Sequence, residues 1–323
     1  MFNTPILLIT FNRPSHTRRV LERILEANPK DLYIFQDGAR EGNATDVQKC
    51  QEVREIINEL TVHCASCTVH HNYSPINLGC GPGPMTGISW FFENVEQGII
   101  IEDDALPHPD FFPYCEELLN KYKDNEAVRA IGSMNVDAQL WGNGSYYFSH
   151  MNRNLCAWAT WKRAWMDFDI NLSGVTLRHL DSALKFCGCD KIERMYWLDR
   201  LREVHKDCCG GKSWDMQFFM SIWLYHGKGI IPNVNLSSNI GTVDEATHAM
   251  AAGNIIDNVP TKSILPLKHP SIEDIQIEAD RQFHYRYFEP QKAQWNRLQR
   301  AYFIINTTIK HLVGHQGPWF KHK

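Results

Sequence analysis

The segment Gly98-Ile-Ile-Ile-Glu-Asp-Asp104 sets the architecture of this chain. Three consecutive isoleucines without polar alternation have the pattern of a strand buried on both faces. Three carboxylates follow at once. At the edge of a core they repel and desolvate one another unless donors or a cation compensate them. The strand therefore ends at a polar, charge-bearing edge of a buried sheet.

On either side, short β-rich runs alternate with amphipathic segments. The pattern predicts strands over 5–11, 32–36, 67–72, 98–101 and 128–132, and helices over 14–27, 45–60, 84–95 and 109–122. Val20, Leu21, Ile24 and Leu25 give the first helix an apolar face, and Pro14 suits its first turn. Such spacing implies right-handed βαβ crossovers and an α/β fold with a mainly parallel sheet flanked by helices. Ligands of these sheets lie at the carboxyl ends of the strands. The residues there are polar: Thr10-Phe-Asn-Arg13, Asp37-Gly38 and Glu102-Asp103-Asp104. Beyond residue 140 the alternation is lost, and that half reads as helices and loops folded over the sheet edge. After Gly253, prolines at 260, 266 and 270 precede a helical tail over 290–311.

Composition narrows the class. The 323 residues are 43% apolar, 22% charged and 11% aromatic, which excludes disordered, collagen-like and coiled-coil chains. Thirty-three basic against 37 acidic residues, a formal charge of -4, point away from nucleic acid as a partner. No apolar run approaches the ~20 residues of a membrane span. The apolar stretch at 5–9 lacks the length and basic flank of a secretion signal. Ten cysteines at unrelated spacings read as reduced thiols of a cytoplasmic protein.

Several motifs fail on inspection. Gly79-Cys-Gly-Pro-Gly83 neither follows the first strand nor has the spacing of a dinucleotide loop, and reads as a turn into a helix. Gly210-Gly-Lys-Ser213 imitates the end of a P-loop, but Lys206 stands where its first glycine is required. Cys64 and Cys67 with His63, His70 and His71, and Cys187 and Cys189 with His205, Cys208 and Cys209, hold enough donors for zinc. Neither has paired zinc spacing, so packed thiols and surface histidines are the expectation. The acidic triplet does fit a cation: Mg²⁺ or Mn²⁺ is commonly held by one or two carboxylates plus phosphate oxygens.

In order along the chain, residues 5–14 (PILLITFNRP), Gln36-Asp-Gly38, Asn77-Leu-Gly79, Ile101-Glu-Asp-Asp104 and Asp110-Phe-Phe112 resemble the nucleotide-sugar half of GT-A fold glycosyltransferases. The similarity is greatest to inverting family-2-like and N-acetylglucosaminyltransferase I-like enzymes. It continues through Ile131-Gly-Ser-Met-Asn135, residues 157–165 (AWATWKRAW), Ser213-Trp-Asp215, Ser238-Asn-Ile-Gly241 and Thr247-His248. The resemblance implies a nucleotide-sugar-binding half over 1–135, an acceptor-binding half of the same domain over 136–253, and a C-terminal extension over 254–323. It implies that Thr10, Asn12 and Arg13 line the nucleotide pocket, that Asp37 lies near the base, that Glu102 and Asp103 face ribose and sugar, and that Asp104 meets the metal. Asp215 stands at the family's general-base position, its plainer role being a helix N-cap. A base across the sugar from the leaving group implies single displacement with inversion. His248 is placed to reach the phosphates or the metal. Trp158 and Trp214 are the candidates for acceptor contact, although large aromatics more often fill cores.

The expected activity is transfer of a hexose, GlcNAc among the candidates, from a UDP-sugar to a glycan or lipid-linked acceptor. A sugar-phosphate nucleotidyltransferase is the rival enzyme, but it calls for a glycine-rich loop after the first strand, and Thr10-Phe-Asn-Arg13 has no glycine. A non-catalytic glycan- or nucleotide-binding protein needs neither the metal nor Asp215. Residues 291–323 interleave basic and aromatic side chains, a pattern that suits peripheral contact with the inner face of a membrane as well as packing on the catalytic domain.

Overall fold

The computed structural model of the chain describes residues 1–312 except 63, 65–66, 137–138, 152–156, 207–213 and 242–256, with the backbone alone at 311–312. Three βα units open it: β1 (Ile6–Thr10) and α1 (Pro14–Glu26), β2 (Asp31–Gln36) and α2 (Ala44–Thr61), β3 (Thr68–Tyr73) and α3 (Pro82–Asn94). β4 (Gln97–Glu102), β5 (Ala105–Pro107), α4 (Phe111–Lys121) and β6 (Val128–Gly132) follow. Every strand and helix expected up to residue 135 is present, with ends shifted by at most two residues. The short β5 was not expected.

The second half corrects the sequence reading. β7 (Tyr146–Ser149), β8 (Ala157–Trp161) and β9 (Lys228–Pro232) are strands of the main sheet, with α5 (Lys162–Met166), α6 (Leu177–Phe186), α7 (Lys191–Lys206) and α8 (Asp215–Leu224) between β8 and β9. β7 and β8 are buried at every position, so they carry no two-residue alternation to betray them. β10 (Ser237–Asn239), α9 (Ile277–Tyr287), a 3₁₀ turn at Pro290–Lys292 and α10 (Arg297–Leu312) complete the order.

The sheet has eight strands in the order β3-β2-β1-β4-β8-β6-β9-β7. β3, β2, β1 and β4 are mutually parallel, and β6 is parallel to β9. β8 lies antiparallel between β4 and β6, and β7 antiparallel on β9. The result is the mainly parallel, helix-flanked α/β architecture that the alternation predicts. Side chains of β1 alternate between two cores: Ile6 and Leu8 face Leu21, Ile24, Val53 and Ile57, whereas Leu7 and Ile9 share a cluster with Phe91, Trp158 and Phe218. A two-stranded ladder of β5 and β10 stands beyond the end of β4.

The stretch after residue 256 runs along the body. Lys262 N donates to Asn235 O, Ile264 N to Asp110 Oδ2, and Lys268 N to Ser145 Oγ, while Ile275 bridges Phe148 of β7. Among the described residues no helix is long and apolar enough to cross a membrane.

Candidate functional site

The parallel strands bring Thr10, Gln36 and Glu102 to one edge, and the turns beyond them carry the candidate residues. Asp103 is buried; its Oδ2 accepts from Phe11 N at 3.2 Å. Arg13, at the entrance to α1, donates from Nη1 to Asp104 Oδ2 at 2.8 Å and lies 3.5 Å from Asp103 Oδ1. Burial works against the Arg13 charge, but the neighbouring aspartates outweigh it and hold the guanidinium protonated. Burial pushes the Asp103 carboxyl up to about 7; Arg13 pulls it down and the Asp104 charge adds to the rise. Asp104 Oδ1 is buried and has no hydrogen-bond partner among the described residues.

The β10 segment packs on this turn from outside the sheet. Ile240 N donates to Asp104 O at 2.8 Å, and the Ile240 carbonyl lies 3.0 Å from His16 Nε2 on α1. A Cβ on Gly241 would stand 2.9 Å from Asp104 Oδ2, so this close approach needs a residue without a side chain. In the sequence, the one signal of this contact is the small residue that ends Ser238-Asn-Ile-Gly241.

Asp215 occupies the first turn of α8, and the N-cap is Trp214, which makes no side-chain capping bond. The plain capping role is therefore not the one Asp215 fills, although a carboxylate in a first helical turn is favoured by the helix dipole. Its charge is felt at Cys80, ahead of α3. Burial raises that thiol pKa, and the charges of Glu102, Asp215 and Asp37 raise it further. Glu102 itself is half-buried at the end of β4.

Other expected residues act on the scaffold. Thr10 Oγ1 donates to Phe35 O at 3.1 Å, tying β1 to β2. Asn12 Nδ2 donates to Asp46 Oδ1 at 2.7 Å, and Asp46 also receives Arg40, so the turn after β1 is fastened to the start of α2. Asp37 accepts from Gly38 N, Leu78 N, Gly79 N and Asn77 Nδ2 at 2.8–3.0 Å. Burial raises its pKa, and those backbone donors hold it back.

Two expectations are corrected. Trp158 is wholly buried in β8, and Trp214 is 4% exposed; their rings lie 5.9 Å apart and both pack with Phe218. Both rings are packed into the core, Trp158 in the antiparallel strand in the middle of the sheet and Trp214 at the start of α8. His248 lies outside the described residues, as do His63, Cys208 and Cys209. His70 stacks on Tyr33, and His71 Nδ1 lies 2.9 Å from the Tyr73 hydroxyl. Among the described residues no group of three or more His, Cys, Asp or Glu side chains is placed to hold a metal. The acidic turn therefore holds two adjacent carboxylates, of which Asp104 Oδ1 has no hydrogen-bond partner among the described residues; one or two carboxylates are what a Mg²⁺ or Mn²⁺ ion completed by phosphate oxygens would require.

No family model matches the chain. No curated protein matches it either. Among solved structures it is similar to apo UDP-glucose pyrophosphorylase, with 10% identity, 75% of this chain and 94% of that one covered, and a TM-score of 0.40. It is similar to apo mouse xyloside xylosyltransferase 1, at 13% identity, 69% and 82% coverage and a TM-score of 0.34. A mannose-1-phosphate geranyltransferase from Thermus thermophilus gives 9%, 75% and 77%, and 0.35. At such values the likeness carries no argument about function.

Proposed function

We propose that this protein is a metal-dependent, inverting glycosyltransferase that takes a sugar from a nucleotide diphosphosugar, UDP-linked, and delivers it to a glycan or lipid-linked acceptor. The observation that carries the reading is the buried, unpartnered Oδ1 of Asp104 at the carboxyl end of a central strand, next to Arg13 and Asp103. A buried carboxylate oxygen without a donor is costly unless a ligand completes it. Asp104 would hold a Mg²⁺ or Mn²⁺ ion there, which would supply positive charge to the departing diphosphate. Arg13 fixes the Asp104 carboxylate and adds its own positive charge to the same edge. Asp215, in the first turn of α8, would take the proton of the acceptor hydroxyl. The turn after β1 has no glycine and is fastened by Asn12 to Asp46, which speaks against the phosphate loop of a nucleotidyltransferase.

The test is calorimetric titration of UDP with and without Mn²⁺, followed by nucleotide release from a panel of nucleotide sugars. UDP should bind at least about tenfold more tightly with Mn²⁺, and a UDP-sugar should give metal-dependent release. Equal UDP affinity in both conditions would overturn the reading.

A further inference from the structure

Helix α10 has two apolar sides, and the body covers one of them. Phe303 and Thr307 are buried and Ile304 half-buried, packing with Ile192, Tyr285 and Trp295. Arg300 on the same side reaches Asp190 Oδ2 at 3.1 Å and the Tyr285 hydroxyl at 3.2 Å. On the opposite side Leu298, Tyr302, Ile305 and Ile309 are 81%, 71%, 59% and 51% exposed. Their spacing of four, three and four residues makes one straight stripe about 16 Å long. A continuous exposed apolar stripe of this kind marks a surface that meets something.

Charge says what it meets. No acidic residue occurs from Pro290 to Lys323, whereas Lys292, Arg297, Arg300, Lys310, Lys321 and Lys323 do. Asp190 and Glu289 are tied to Arg300 and Lys292 on the covered side, leaving the outward side without carboxylates. Arg297 and Lys310 flank the stripe left and right by helical geometry. We infer that the outward face of α10 docks on an anionic lipid surface, with the stripe entering the boundary between headgroups and acyl chains and the flanking cations meeting lipid phosphates. Against a second copy of the chain stand the residues beside the stripe, Gln299, Ala301, Asn306 and Thr308, which carry no opposite charges to set a helix pair. The surface stands independently of the chemistry at the acidic turn.

The test uses the full chain and sedimentation with two kinds of vesicle, phosphatidylcholine alone and phosphatidylcholine with roughly 30% phosphatidylglycerol. The parent should pellet with the anionic vesicles, less so as salt rises, and weakly with the neutral ones. Replacing Ile305 and Ile309 together by Ser should lower that binding about tenfold or more, and Arg297→Gln with Lys310→Gln about fivefold per charge. Both sites are away from the covered side, and a melting curve checks that the variants remain folded. Failure of the parent to bind either vesicle, equal binding to both, or parent-like binding by the Ile305→Ser, Ile309→Ser variant would overturn the inference. So would a dimer, seen by light scattering, that this variant converts to monomer, because the face would then belong to a second copy.

Discussion

The turns after β2 and β4 each carry an aspartate at the carboxyl end of a parallel strand, and they differ in what surrounds it. Asp37 has donors for both oxygens, three of them backbone amides, and holds the 77–79 loop against the sheet. Asp104 has Arg13 for one oxygen and, among the described residues, nothing for the other. A saturated carboxylate is a fastening; an undersaturated one is a place for a ligand. The pair shows that two aspartates at equivalent strand ends can differ wholly in their donors.

Substitution separates the two roles. Asp104→Asn should lower turnover by ~10³-fold or more, because it removes the charge that would hold the cation, and should move the melting temperature less than Asp37→Asn does. Steady-state rates beside thermal melts measure this, and a variant active at the parent rate would erase the distinction. Asp215→Asn should lower transfer by roughly 10²- to 10⁴-fold at saturating donor while leaving donor and metal affinity nearly unchanged. A parent-like rate would move the base elsewhere.

Asp37→Asn should destabilise the fold by about 1–3 kcal/mol, since the amide presents a donor where backbone N–H groups already point. Chemical denaturation gives the figure, and a value near zero would mean that the 77–79 loop is held by other contacts.

A further effect is one of pH. Burial places the Asp103 pKa above its unfolded value, at about 7. Below about pH 4 both states hold the proton and the contribution is complete. From there to about 7 the unfolded chain ionises first, so this contribution is lost as pH rises. Asp103→Asn cannot titrate, and the parent should therefore lose a few degrees of melting temperature relative to the variant across that window. A constant difference would show that Arg13 holds Asp103 ionised throughout.

Periodicity made the first half of the fold readable: β1 to β4 and β6 alternate with helices whose apolar faces recur every three or four residues, and only the short β5 escaped it. It did not reveal β8. The five residues of Ala157-Trp-Ala-Thr-Trp161 are buried throughout, and no polar face breaks the run into a pattern of two. The same burial misled the reading of Trp158, because an aromatic inside a core and one beneath a sugar look alike in sequence. Among candidate site residues, the acidic triplet at 102–104 stood out because like charges crowded after a buried strand require compensation, whereas a role for Arg13 entered only through the family resemblance; that Arg13 pairs with Asp103 and Asp104 is a finding of the structure. The contribution of Gly241 was not legible, since it depends on β10 returning across more than 130 residues to lie against Asp104.

The antiparallel strand in the middle of the sheet bears on how such a chain can be divided or recombined. A fragment that stopped at residue 135 would keep β6 without β8 or β9, the strands it pairs with, and would leave the inner edge of β4 bare. An uncovered edge of that kind invites aggregation. Exchange of whole front halves between related chains would therefore break the molecule, and new ligand preferences are more readily reached by altering turns at the strand ends while the woven sheet stays intact.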